Sequence, residues 1–199
     1  MNMVSLGSRS FQGRPVTAGR SGTIAALDVG SSKISCFIAK IEPGRLANGH
    51  APVRVIGIGH QVSRGIRAGA VVDMDAAEEA IRVAVDAAER MAGVTIRDVV
   101  VGFSGAEPKS QTVGVRASIT GGEVSDQDVS RLIHHAQTNF QPEGRDVMHA
   151  IPTNYSVDGS RGVRDPRGMF GEKLGVEVHM VSVLRGPLRN LELCIERCH

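Results

Sequence analysis

The stretch Thr23-Ile-Ala-Ala-Leu-Asp-Val-Gly-Ser-Ser-Lys-Ile-Ser-Cys-Phe-Ile-Ala-Lys-Ile41 decides the fold. An apolar run ends at Asp28, a small-residue turn follows at Gly30-Ser31-Ser32, and Lys33 opens a second apolar run. Two such runs around a tight turn form a β-hairpin. A turn with little side-chain bulk lets backbone N–H groups approach an anion closely. Lys33 adds a point charge there, and Asp28 is placed to hold a hydrated divalent cation without touching the phosphate. This differs from the strand-to-helix phosphate loop. The same residues also suit an ordinary hairpin, because turns favour Gly and Ser. The motif alone leaves both readings open.

Outward from the hairpin, composition narrows the choices. Apolar residues make up 41% of the 199, aromatics only 3%, so the core is built from Val, Ile, Leu, Ala and Met. The formal charge of +2 and the few aromatics argue against a nucleic-acid partner. The first twenty residues carry Arg9, Arg14 and Arg20 and no acid, and no apolar h-region. Residues 1–22 therefore read as a disordered basic tail, not a secretory signal. Cys36, Cys194 and Cys198 lack framework spacing and suit a reducing compartment.

Along the chain, Val53-Arg-Val-Ile-Gly-Ile-Gly-His60 reads as a third strand, giving an antiparallel start to a sheet. Residues 73–93 form the clearest helix, capped by Asp75 with Glu78 in capping-box spacing and stopped by Gly93. Its expected inner face is Ala77, Ile81, Ala84, Val85, Ala88 and Met91, and so many alanines imply close approach to a sheet. A strand is expected over 98–103. Residues 104–122 then turn polar. Ser125 caps a second helix with Val129, Leu132, Ile133 and Ala136 on one face. Residues 146–157 read as a strand that Pro152 limits to an edge or a bend, and 158–171 as a loop. Residues 175–184 alternate cleanly, with Val176, Val178 and Met180 on one side. A last helix starts at Pro187 and turns Leu188, Leu191, Ile195 and Cys198 to a core. It reaches the final residue without a cap signal, as if cut.

Other clusters point to plain roles. His134 and His135 are adjacent and diverge on a helix, a poor metal pair. Cys194 and Cys198, with His199 beside them, have i, i+4 spacing but no complementary ligands elsewhere, so they read as core cysteines. Asp73, Asp75, Glu78 and Glu79 suit a helix N-terminus. Arg161, Arg164 and Arg167 in a Gly-rich loop are solvated or meet an acidic partner. No arrangement of side chains marks a catalytic centre.

In order and spacing, four features resemble the FtsA family of bacterial cell-division proteins, within the actin-like ATPase superfamily. They are Ala26-Leu-Asp-Val-Gly-Ser-Ser-Lys-Ile34; Val55-Ile-Gly-Ile-Gly-His60 with Ser63-Arg-Gly-Ile-Arg-Ala-Gly-Ala-Val-Val-Asp73; Val99-Val-Val-Gly-Phe-Ser-Gly105; and His149-Ala-Ile-Pro-Thr-Asn-Tyr155 with Asp165-Pro-Arg-Gly-Met169. The resemblance implies an α/β, actin/Hsp70-like (ribonuclease H-like) subdomain 1A over 23–103 and 183–199. An inserted α+β, SHS2-type subdomain 1C of strand-helix-strand-strand type would occupy 104–182.

It further implies ATP and magnesium as cofactors. Gly30, Ser31 and Ser32 would cradle phosphates through N–H groups and hydroxyls, Lys33 would neutralise charge, and Asp28 would hold magnesium through water. Activity would be at most a weak ATPase in a longer protein. The implied role is a scaffold on the cytoplasmic face of the inner membrane at the septum. It would anchor the FtsZ ring through a lobe absent here, attach to membrane through an absent C-terminal helix, and use the insert for self-association and for FtsN and later division proteins. The chain reads as an N-terminal fragment that alone binds ATP weakly or not at all. Two rivals share the hairpin: half of a sugar-kinase or Hsp70-type ATPase, and a PilM-like pilus assembly protein.

Overall fold

Alternation of buried and exposed positions from Ala25 onward sets the first sheet, because successive strand side chains point to opposite faces. The structure, a computed structural model, describes residues 22–44 and 52–198. The expected basic tail, all but its last residue, and most of the polar loop after the hairpin lie outside the described residues, as does His199. The elements in chain order are β1 (Thr23–Val29), β2 (Lys33–Ile41), β3 (Val53–Val62), β4 (Ile66–Arg67), β5 (Ala70–Val71), α1 (Met74–Ala92) and β6 (Val100–Gly102), then β7 (Lys109–Ser118), α2 (Asp126–Asn139), β8 (Arg145–Val157), β9 (Ser160–Val163), β10 (Lys173–Leu184) and α3 (Arg185–Glu196). They fall into two units: Pro108–Arg185, and the described residues before and after it.

The first unit holds a sheet of order β3-β2-β1-β6. β1, β2 and β3 are antiparallel neighbours, and β6 returns parallel to β1 after the α1 crossover. Ala25, Leu27, Val29, Ile34, Cys36 and Ile38 point inward and meet Ala77, Ala80, Ile81, Ala84 and Ala88 of α1 and Leu191, Cys194 and Ile195 of α3. α1 comes unusually close to β3. A β-carbon on Gly57 would stand 2.3 Å from the Ala88 carbonyl oxygen. The helix begins two residues earlier than its acidic spacing suggested. Asp73, not Asp75, is the N-cap, extended at φ −142° and accepting from Ala76 N–H at 3.1 Å. The chain is already anchored there, since Val72 and Asp73 both donate to the Gly65 carbonyl. Gly93 ends the helix at φ 66°. Met91, expected inside, is 65% exposed, and Ala80 takes the inner place. Against a floor of glycines only alanine-sized side chains fit.

The second unit holds a sheet of order β7-β10-β8-β9 with α2 on one face. Val176, Val178 and Met180 face Val129, Leu132 and Ala136 as their spacing predicts. Pro152 is not on an edge strand, as β8 lies between β10 and β9. β9 reaches only Tyr155–Val157 of β8, and Pro152 sits opposite Val178 at a register shift, the bend its missing N–H favours. β7, within the polar stretch, is the opening strand of the strand-helix-strand-strand order the resemblance implied, whereas the expected loop over 158–171 contains the strand β9.

Candidate phosphate-binding site

The hairpin turn owes its shape to Gly30. Its N–H donates to the Lys33 carbonyl at 3.0 Å, and a β-carbon there would lie 2.9 Å from that same oxygen. The Gly30 amide is therefore taken up inside the turn and does not face outward as expected for a phosphate donor; glycine is required there for closure. The Ser31 and Ser32 amides have no hydrogen-bond partner among the described residues. The Ser31 hydroxyl accepts from Gly69 N–H at 2.9 Å and keeps its own proton to donate. The Ser32 carbonyl accepts from Ser63 N–H at 3.0 Å.

Strand alternation puts Asp28 and Lys33 on one face. Leu27 and Val29 are buried on β1, as are Ile34 and Cys36 on β2, while Asp28 and Lys33 are exposed. Asp28 lies in register with Gly102 on one side and Ser35 on the other. A β-carbon on Gly102 would stand 3.4 Å from Asp28 Oδ1, so glycine keeps the carboxylate's flank open. Neither Asp28 nor Lys33 has an ion-pair partner among the described residues.

Three turns converge at this end of the sheet. Gly69, at φ 74° in the β4–β5 turn, donates to Ser31 and packs directly on Gly105 after β6; a β-carbon on Gly105 would meet the Gly69 carbonyl oxygen at 2.0 Å. Gly69, Gly102 and Gly105 are the positioning residues that motif reasoning missed. Their signal was present as glycines in two of the quoted stretches, but not which turns would meet.

The donor set fits a polyphosphate with a divalent cation. Two free amides, a hydroxyl and an ammonium group suit phosphate oxygens. A single carboxylate beside them suits a cation that keeps most of its waters and takes its remaining ligands from phosphate. Among the described residues no group of three or more His, Cys, Asp or Glu gathers to hold a metal without phosphate. Cys194 is buried and Cys198 half-buried against α1, as their core reading expects. Cys198 Sγ donates to the Cys194 carbonyl at 3.2 Å, and burial pushes the two thiols up to about 11 and about 12. His134 and His135 are exposed on α2.

The family described as the SHS2 domain inserted in FtsA matches residues 105–182. A cell division protein FtsA from Agrobacterium fabrum is 40% identical over 190 residues, covering 94% of this chain and 43% of that protein. FtsA of Neisseria meningitidis is 35% identical, covering 88% and 41%, and FtsA of Escherichia coli 27%, covering 88% and 40%. Among solved structures, the PilM-PilN type IV pilus biogenesis complex aligns with a TM-score of 0.53 at 11% identity, over 88% of this chain and 44% of that one, a likeness of fold alone. The chain thus spans less than half the length of these curated relatives, and over that span it belongs to the FtsA family, with an actin-like α/β fold and the SHS2 insert that marks it.

Proposed function

We propose that this chain supplies one wall of an ATP site in an actin-like cell-division scaffold. The carrying observation is the hairpin end at which the Ser31 and Ser32 amides, the Ser31 hydroxyl, Lys33 and Asp28 are all unopposed on or beside one face. Ser31, Ser32 and Lys33 would take the phosphate oxygens. Gly30 would shape the turn. Asp28 would orient waters on the magnesium, whose own contribution is to neutralise and bridge phosphate charge. Any hydrolysis would draw on groups from an opposite lobe to place the attacking water. Clefts between lobes hold nucleotides because both lobes contribute donors. The chain alone is expected to bind ATP weakly or not at all.

The wider role follows from the family. The scaffold would tie the FtsZ ring to the membrane at the division site through segments beyond this chain. The insert would serve self-association and the recruitment of FtsN and later division proteins. Among the described residues no helix is long and apolar enough to cross a membrane.

Lys33→Ala tests the site in a protein extended to the length of the relatives. Calorimetric titration with magnesium-ATP is expected to show affinity reduced by about tenfold or more, roughly 1.4 kcal/mol, with an unchanged thermal melt. Unaltered affinity would remove the phosphate assignment. A pull-down that recovered pilus-assembly proteins and no FtsZ would favour the PilM-like alternative.

A further inference from the structure

One row of side chains crosses the whole second sheet on the face opposite α2. In register it reads Arg116 on β7, Gly175 on β10, Ser156 on β8 and Arg161 on β9. Two guanidinium groups therefore stand at either end of a Gly–Ser floor, their Cα atoms about 14 Å apart from three strand spacings. Arg116 already leans inward, with its Cγ 3.3 Å from where a Gly175 β-carbon would be. Neither Gly175 nor Gly114, diagonal to it, has the left-handed backbone that demands glycine. What the two glycines do is clear a slot of about 200 Å³. That is below the roughly 300–1,000 Å³ of cofactor and drug-sized sites, and fits one side chain.

Charge selects the side chain. Arg131, Arg167 and Arg185 of the same unit each pair with a carboxylate. Arg116 and Arg161 have no ion-pair or hydrogen-bond partner among the described residues. Glu177 in the neighbouring row adds one negative charge to the slot lining. The slot thus carries one net positive charge, which a singly charged carboxylate balances and a phosphate dianion exceeds. Guanidinium forks match carboxylates in bidentate geometry, and Ser156 offers a hydroxyl between them. We propose that this slot docks a Glu or Asp side chain from an acidic segment of a partner protein. The proposal deepens the reading of the insert as an interaction surface. That reading fails if a protein of the relatives' length, with Pro108–Arg185 replaced by a linker, keeps its self-association, and this one fails by point changes that keep the insert, so the two fail separately.

The test titrates the 199-residue chain into a fluorescein-labelled, terminally blocked decaglutamate peptide, followed by anisotropy, with decaglutamine as the control peptide. Arg116→Gln with Arg161→Gln is expected to weaken decaglutamate binding about tenfold or more. Gly175→Ala, whose added carbon would stand 2.4 Å from Ser156 Oγ and so narrows the slot and turns that hydroxyl aside without changing charge, is expected to weaken it about threefold or more. Lys109→Gln with Arg164→Gln, matched in charge but outside the slot, is expected to change it less than about twofold. Equal losses in the matched pair, equal binding of decaglutamine, or displacement by inorganic phosphate beyond that by chloride at the same ionic strength would each overturn the proposal. So would a change in sedimentation of the Arg variants with peptide affinity intact, which would make the slot a contact between copies of the chain.

Discussion

A β-carbon on Gly59 would stand 1.9 Å from the Ala84 carbonyl oxygen and 2.8 Å from the Ala88 amide nitrogen. Both are helix backbone, which cannot rotate aside as a side chain can. Gly59→Ala therefore pushes α1 off β3 and is expected to destabilise the chain by about 1–3 kcal/mol, at the upper end of that range; urea melts measure it. Gly114→Ala, where the added carbon meets nothing within 4 Å, is expected to be close to neutral by the same measurement. The contrast separates glycines required by packing from those that only leave space. It also shows what single residues convey in a sequence. Gly57 and Gly59 alternate within an apolar run and face an alanine-rich helix, so their closeness was foreseeable. The meeting of Gly69 with Ser31 and Gly105 depends on three turns arriving together, which no local pattern encodes. The same holds for the Gly30 amide, whose partner is fixed by how the turn closes.

At the scale of elements, α2 shows how a cap joins local chemistry to pH. Ser125 and Asp128 bond reciprocally: the Ser125 hydroxyl accepts from Asp128 N–H at 3.2 Å and the Asp128 carboxylate accepts from Ser125 N–H at 3.0 Å. Hydrogen bonds from Ser125, side chain first and then backbone, hold the Asp128 carboxyl below its ordinary 3.8. A carboxyl depressed in the folded state contributes stability above its unfolded value and loses it as pH falls through the folded one. Asp128→Asn is thus expected to cost about 0.5–1 kcal/mol at neutral pH, with the gap to the parent narrowing as pH drops below 3.8. Thermal melts across that range check it. Elements with long periods were legible: α1, α2, α3 and β10 all follow their apolar spacing. β7 was legible only through the family resemblance, because an edge strand with one solvated face carries mostly polar residues and shows little pattern of its own. β9 was missed although Asp158-Gly159, at φ 48° and 86°, is a strong hairpin signal; four residues hold too little pattern to stand out from a Gly- and Arg-rich stretch.

At the scale of the whole molecule, the described residues form two cores. Leu27, Ile34, Ile38 and Ile81 fill one, and Leu132, Leu174, Val178 and Met180 the other, none more than 2% exposed. Each cluster is built from the sheet and helices of its own unit. Replacing Pro108–Arg185 by a short Gly-Ser linker is then expected to leave a remainder with a cooperative melt and the helical signal of α1 and α3. Pro108–Arg185 expressed alone is expected to fold too. At under about 80 residues, however, a single core supplies no more than about 3–5 kcal/mol, and it should melt earlier. The intact chain should accordingly depart from two-state behaviour, with calorimetric enthalpy exceeding the van't Hoff value. Loss of structure in the remainder on excision, or one transition with equal enthalpies in the intact chain, would show that the insert is part of a single cooperative unit. The interaction surface on its sheet would then be coupled to the hairpin site through folding, and substitutions in the Arg116–Arg161 row could not be read without measuring the stability of both.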